Sequence, residues 1–289
     1  MQDLTDNGWD AVPVSTAQVD LQDGAATLEL FAAIRPKYVI HLAARVHGLM
    51  GNLAHPGEVF LENVRLNTSV IEAARRVGVE RFVAMGSVAM YSDGLPLPVK
   101  ESDMWNGEPH HSEAAYAQAK RTMLAHLDAY KKQYDFDFTL AVATNMFGPG
   151  DKFDEAQGHV LPSLISKFYR GANEGAPVTA WGTGTAQRDF LYSKDAASGL
   201  RALISAPSGV YNLATGVEVS IRNVVEALTE VSGFTGDVTW DTTKPDGQRR
   251  RLYDVSKLSA LGWAPKHRLI DALAESYEWY STNVASARR

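Results

Sequence analysis

The sequence predicts an α/β protein whose core is a parallel sheet covered by helices on both faces. Three short apolar runs, at residues 37–44, 81–85 and 138–144, lack the alternation of a half-exposed strand and are typical of strands buried on both faces. Longer segments with helical periodicity, residues 56–77 and 114–134, lie between these runs. Strands that alternate with helices at this spacing predict a doubly wound parallel sheet.

The composition is that of an acidic globular protein without cysteine. Of the 289 residues 45% are hydrophobic, which is enough for a large core, and the formal net charge is −6. Such a charge does not match the basic surface that nucleic-acid binding requires. The lack of cysteine excludes disulfides and thiolate metal ligands, and we expect no metal centre. No apolar run approaches the roughly 18 residues of a membrane span, and no signal-peptide pattern is present, so we expect a soluble, cytoplasmic protein.

The N-terminal part predicts short elements separated by turns. They are a helix end before a turn at Asn7 and Gly8, strands at residues 11–14 and 18–21, and a helix at residues 25–34. Pro36 ends this helix because proline cannot continue it. Gly78 ends the long helix at residues 56–77 as a C-terminal cap.

After Pro149 the predicted elements become shorter and basic residues cluster. A helix with an early proline is predicted from residue 159 and a last helix at residues 269–281. The basic residues are Lys167, Arg188, Lys244, Arg249, Arg250 and Arg251. Lys167 and Arg188 lie beside apolar residues, which favours binding of an anionic substrate. For the run of three arginines, anion binding and a solvated surface are equally compatible with the sequence.

One helical stretch carries a pattern suited to proton transfer. Tyr116 and Lys120 in HSEAAYAQAK are one helical turn apart, and Ser87 follows the apolar run at residues 81–85. Free tyrosine has a pKa of about 10. An ammonium group one turn away favours the phenolate, so we expect Lys120 to lower the pKa of Tyr116. This arrangement indicates proton transfer to or from a carbonyl or alcohol oxygen that Ser87 holds.

Three further positions follow predicted strands. The first apolar run ends at Ala43 and Ala44, the second ends shortly before Ser87, and the third ends just before Asn145. Ligands of doubly wound sheets bind beyond the carboxyl ends of the strands, so these residues predict one shared site.

Several stretches together resemble the extended short-chain dehydrogenase/reductase family of NAD-dependent epimerases and dehydratases, and within it the GDP-L-fucose synthase branch. The matching stretches include VIHLAARVHGL, YAQAK, TNMFGPGDKF, GHVLPSLISKF, WGTGTAQRDFLY and TKPDGQ. The Tyr-x3-Lys pair marks only the superfamily, whereas HVLP, WGTG and KPDGQ are more specific. The resemblance implies a Rossmann-like domain at residues 1–149. Residues 150–289 would mainly form a smaller substrate-binding cap, with some segments returning to the sheet.

The resemblance also implies roles for individual residues. The implied catalytic residues are Ser87, Tyr116 and Lys120, with His159 as an epimerisation acid. The implied contacts to the cofactor NADP(H) are Asp20, Leu21, Ala43, Ala44 and Lys120. The implied contacts to a GDP-linked 4-keto-6-deoxy-hexose are Asn145, Lys167, Trp181, Arg188, Lys244 and Asp246. A homodimer through helices near residues 58–77 and 114–134 is implied as well.

The chain departs from the family pattern at two places. The family has a cysteine two residues after the serine, where this chain has Ala89, so one acid–base group for epimerisation is absent. The family also begins with a strand and a GxxGxxG turn that holds the cofactor pyrophosphate, and this sequence contains no such turn. We therefore expect an N-terminally truncated sheet. Ser15 and Thr16, after the predicted strand at residues 11–14, offer no carboxylate to a ribose 2′-hydroxyl, which favours NADP over NAD.

These departures leave three functions open. The first is NADP(H)-dependent reduction of a nucleotide sugar, with or without epimerisation. The second is a non-redox isomerase, dehydratase or cyclase that uses Tyr116 and His159 as acid and base. The third is a non-catalytic protein that binds a sugar nucleotide.

Overall fold

The predicted parallel sheet is confirmed by a computed structural model, which describes residues 1–46, 52–155, 158–244 and 249–288. The elements of the first half are α1 Gln2–Asp6, α2 Gly24–Ile34, β1 Tyr38–His41, α3 Pro56–Val77, β2 Arg81–Ser87, α4 Ala114–Tyr134, β3 Phe138–Ala143 and β4 Asn145–Phe147. The elements of the second half are α5 Val160–Glu174, β5 Val178–Trp181, β6 Gln187–Arg188, β7 Phe190–Tyr192, α6 Ser193–Leu203, β8 Gly209–Leu213, β9 Val219–Ser220, α7 Ile221–Ser232, β10 Val238–Asp241, α8 Ser256–Ser259 and α9 Leu269–Asn283.

The central sheet has four parallel strands in the order β1-β2-β3-β8. All six residues of β3 are buried, which explains its unbroken apolar sequence. β2 alternates between the two faces: Phe82 faces one core and Val83 the other. The sheet is therefore covered on both sides, as a doubly wound fold requires.

Helices α2, α3 and α4 cover one face of the sheet. α3 packs against both α2 and α4, and Phe31, Val70 and Leu124 from the three helices share one core with Leu140 of β3. The amphipathic pattern of α3 follows from this contact. Its predicted ends are confirmed, because Pro56 occupies the first turn and Gly78 adopts a left-handed φ of 74° at the C-cap.

A second core lies in the C-terminal part of the chain. It is formed by α5, α7 and α9 together with the parallel pair β5 and β10. Phe168, Leu228 and Leu273 are fully or almost fully buried there. None of the helices in the described parts of the chain is long and apolar enough to cross a bilayer.

The two strands predicted near the N-terminus are wrong. Residues 11–14 and 18–21 form no strand, and the chain turns where the side chain of Gln18 accepts a hydrogen bond from the backbone N–H of Ser15 at 2.8 Å. Val12 and Val14 are exposed, and Pro13 between them has no N–H to donate to a ladder. β1 is also shorter than the predicted run at residues 37–44.

Candidate active site

The carboxyl ends of three strands meet at one edge of the sheet. Ser87, the last residue of β2, pairs with Ala143 at the end of β3. The backbone N–H of Thr144 then donates to the carbonyl oxygen of Leu213, the last residue of β8. Asn145 follows at the same edge and pairs with Phe190 of β7. The structure therefore brings Ser87 and Asn145 to the edge at which the sequence predicted a site.

Helix α4 places Tyr116 and Lys120 at this edge. The Nζ atom of Lys120 lies 5.8 Å from the ring centroid of Tyr116 and donates to the carbonyl oxygen of Met85 at 2.8 Å. Lys120 is only 1% exposed. Burial disfavours its charged form and lowers its pKa to about 8. The hydrogen bond ties the helix to β2 two residues before Ser87.

The predicted lowering of the pKa of Tyr116 is wrong for this structure. Burial of the phenol, and secondly the nearby carboxylate of Glu113, raise the pKa of Tyr116 to about 12. Both causes disfavour a negative charge on the phenol. Tyr116 is consequently protonated at neutral pH, which is the form that can give a proton to a substrate oxygen.

Ser87 begins the short 3-10 helix at Val88–Met90. Its hydroxyl oxygen accepts a hydrogen bond from the backbone N–H of Ala89 at 3.2 Å. Ala89 itself is buried. A methyl group thus occupies the position at which the family has a proton-carrying cysteine.

Arg188 precedes a buried carboxylate, that of Asp189, which the sequence pattern did not predict. The side-chain amide of Asn145 donates to the backbone oxygen of Asp189 at 3.4 Å. The Asp189 carboxylate, which is 0% exposed, accepts hydrogen bonds from the backbone and hydroxyl of Thr215 and from the backbone of Gly216. Its position beside Arg188 in the stretch QRDF was the signal available in the sequence.

Lys167, Trp181 and Lys244 form a second cluster. The Nζ atoms of Lys167 and Lys244 lie 5.4 Å and 5.5 Å from the ring centroid of Trp181. Lys167 also donates to the backbone oxygen of Thr179 at 3.0 Å, and its partial burial lowers its pKa. Trp181 is 48% exposed, so a ring flanked by two ammonium groups faces solvent. Asp246, predicted to lie nearby, is outside the described residues.

His159 lies at the start of α5. It occupies the N-cap of α5, where it is exposed and its backbone oxygen accepts from the N–H of Ser163 at 3.0 Å. The side chain of Asp151 lies within electrostatic range of the His159 imidazole.

Four of the residues predicted to hold NADP(H) lie before α2 and after β1. Ala43 and Ala44 follow β1 and are half-buried, Leu21 packs against the core, and the exposed Asp20 accepts a hydrogen bond from the N–H of Gln22 at 3.0 Å. In the part of the chain that the structure describes, β1 pairs on one side only, with β2. The resemblance assigns Asp20, Leu21, Ala43 and Ala44 to the adenine and ribose parts of the cofactor and Lys120 to the nicotinamide ribose. The described residues supply no glycine-rich turn for the pyrophosphate.

A doubly wound parallel sheet with a Tyr-x3-Lys pair at its carboxyl edge defines a protein of the short-chain dehydrogenase/reductase type. Within that class, the chain belongs to the NAD dependent epimerase/dehydratase family, whose model matches residues 3–214.

The similar proteins include enzymes named for GDP-sugars. The chain is 37% identical to "Probable GDP-L-fucose synthase 1" of Oryza sativa subsp. japonica, over 100% of this chain and 90% of the relative. A GDP-L-fucose synthetase from Naegleria fowleri bound to NADP superposes with a TM-score of 0.92 at 29% identity, covering 100% of this chain and 91% of that one. MlghC, a GDP-mannoheptose C4 reductase from Campylobacter jejuni with NADP bound, superposes with a TM-score of 0.84 at 27% identity, covering 96% and 92%.

Proposed function

We propose that this protein is a cytoplasmic, NADP(H)-dependent reductase of a GDP-linked 4-keto-6-deoxy-hexose. The observation that carries the proposal is the position of Ser87, Tyr116 and Lys120 at one sheet edge, in a chain 37% identical to a GDP-L-fucose synthase over its whole length. The NADP-bound relatives favour this function over a non-redox isomerase or a non-catalytic binding protein.

Proton transfer at the C4 oxygen is the step assigned to the chain's own residues. NADPH supplies the hydride when it is bound. The hydroxyl of Ser87 donates a hydrogen bond to the carbonyl oxygen, and Tyr116 gives it a proton as negative charge develops there. The buried ammonium group of Lys120 stabilises the phenolate that remains, because opposite charges attract strongly where water is excluded.

The cap provides the proposed nucleotide site. Trp181 offers an aromatic face, and Lys167, Lys244 and Arg188 offer positive charge for the diphosphate. Asn145 and Asp246 complete the proposed substrate contacts. In this proposal, residues 1–149 hold the dinucleotide, and residues 150–289 mainly hold the nucleotide sugar.

We further assign reduction without double epimerisation. Epimerisation at C3 and C5 needs proton carriers placed on the sugar. The side chain of Ala89 carries no exchangeable proton, and this leaves His159 as the remaining member of the family pair. A substrate whose C3 and C5 configuration is already set would suit this site, as it would a C4 reductase of the MlghC kind.

A homodimer is part of the proposal. Helices α3 and α4 pack side by side on the outer face of the sheet, and Phe60 and Leu61 on α3 are 39% and 46% exposed. A second copy would cover these apolar side chains in a four-helix bundle. Light scattering of the wild type and of a Phe60→Ser/Leu61→Ser variant tests this. We expect a dimer that weakens to a monomer in the variant, and a monomeric wild type would refute it.

The reaction is tested with GDP-4-keto-6-deoxymannose and NADPH. We expect consumption of the reduced cofactor, loss of that consumption in Tyr116→Phe, and no deuterium at C3 or C5 of the product formed in heavy water. Absent consumption, or a Tyr116→Phe variant as active as the wild type, would exclude the reductase. Deuterium at C3 or C5 would exclude only the assignment of reduction alone.

A further inference from the structure

The run of three arginines forms a strap between the segments that contain Gln187 and Val99. We use strap for residues 249–252. Its backbone is tied at both ends: the carbonyl oxygen of Arg249 accepts from the N–H of Gln187, and that of Leu252 accepts from the N–H of Val99, each at 2.9 Å. The strap therefore joins the segment beside Arg188 to the segment that follows Ser87.

Two neighbouring arginines of the strap have different partners. Arg250 forms an ion pair with Glu218 in the C-terminal part. The Nη2 atom of Arg251 lies 3.5 Å from the Oε2 atom of Glu113, which comes immediately before α4. The side chains of Arg251 and Glu113 are 18% and 32% exposed, so water screens this pair less than an open surface pair.

The carboxylate of Glu113 lies near Tyr116, the proposed proton donor. It is three residues before Tyr116, which is about one turn of the helix. In the described structure its carboxylate turns to Arg251 and does not cap the amides of the first turn. An unopposed carboxylate at this place would act on the phenol of Tyr116 across a short distance.

We propose that Arg251 is a positioning residue for the catalytic helix, which holds the carboxylate of Glu113 against the strap and offsets its charge beside Tyr116. The inference rests on the proposed function only in taking Tyr116 as the proton donor. The sequence of the arginine run is equally compatible with an anion site and with a solvated surface. The geometry places the side chain of Arg251 against Glu113, at the N-terminus of α4.

Other charged groups are present around the start of α4, and the variants used in the test leave them unchanged. Lys120 approaches the Tyr116 ring from the same helix. The pair His110 and Asp93, 3.6 Å apart, lies in the segments before α4. Arg188 and Asp189 act with Arg251 and Glu113 on the buried phenol of Tyr253, which is part of the segment that follows the strap.

The test follows the protonation of residue 116 directly. A fluorinated tyrosine, a stronger acid than tyrosine, is placed at position 116, and its titration is followed by fluorine NMR in the free protein. Removing the positive partner in Arg251→Gln should raise the midpoint by about half a pH unit or more. Removing the negative charge in Glu113→Gln should lower it by a similar amount, and the double variant should fall between the two.

Controls separate charge from structural damage. Arg250→Gln breaks the neighbouring ion pair of the same strap and should leave the midpoint at the wild-type value. Arg251→Lys keeps the charge and should stay close to it as well. Shifts of the same sign in Arg251→Gln and Glu113→Gln, an unchanged midpoint in Arg251→Gln, or an equal shift in Arg250→Gln would overturn the inference. Because the titration needs neither substrate nor cofactor, it can succeed even if the reductase assay fails.

Discussion

Lys120 and Lys167 both lie beside an aromatic ring, yet their surroundings differ. The Nζ atom of Lys120 is 5.8 Å from the Tyr116 ring in a site where the lysine is 1% exposed. The Nζ atom of Lys167 is 5.4 Å from Trp181, whose ring is 48% exposed. A buried ammonium group changes the proton affinity of its neighbours, whereas one near solvent is available to an anionic ligand. The same pair of groups thus suits proton transfer in one region and recognition in the other.

The largest expected effect comes from removing the hydroxyl group of Tyr116, which lies beside the buried Lys120. Tyr116→Phe should reduce the rate of reduction by about 10²- to 10⁴-fold, because a positioned proton donor contributes that much. Binding of the nucleotide sugar should change little, since the ring remains in place. Turnover assays and calorimetry measure the two quantities. A variant that loses binding and turnover together would show that the two regions are not separable.

Burial of Lys120 should appear in the pH dependence of stability. Burial lowers its pKa to about 8 in the folded chain, from the ordinary lysine value of 10.5. Between these values the unfolded chain binds more protons, so the wild type should gain stability as pH rises. The gain relative to Lys120→Met should reach about 3 kcal/mol. Urea unfolding of both proteins at either end of this window measures it, and a constant difference would contradict it.

The cluster of Lys167, Trp181 and Lys244 should affect substrate affinity more than turnover. Trp181→Ala removes the face between Lys167 and Lys244 and should raise KM about tenfold with little change in kcat. Trp105→Ala is the matched control, because Trp105 is 54% exposed and lies 5.8 Å from the guanidinium group of Arg121 instead. An equal effect of both substitutions would remove the assignment of Trp181 to the substrate.

The smallest expected effect is that of salt concentration on the kinetic constants. Raising the ionic strength about tenfold screens the charges of the half-buried Lys167 and the exposed Lys244 and should increase KM severalfold. The value of kcat should stay nearly constant, because the charge of Lys120 is shielded from solvent ions. Steady-state kinetics at two salt concentrations test this, and a fall in kcat with unchanged KM would reverse the comparison.

Local patterns predicted the elements whose signals are complete within a few turns. Helix α3 has a proline at its start, a glycine at its end and apolar periodicity between, and its predicted bounds match. The strands at residues 11–14 and 18–21 were predicted from equally local signals and do not form. A strand needs a partner for its backbone hydrogen bonds, and no local pattern supplies one.

The sequence by itself determined the sheet class, the helix that carries Tyr116 and Lys120, and the basic residues after Pro149, because periodicity and i,i+4 spacing are properties of neighbouring residues. Only the tertiary structure decided the proton affinity of Tyr116, since burial and the carboxylate of Glu113 raise its pKa where the neighbouring lysine alone suggested the opposite. It also decided that Arg251 pairs with Glu113, 138 residues earlier in the chain. Desolvation and long-range charge pairing depend on how distant segments pack, which spacing along the chain does not encode.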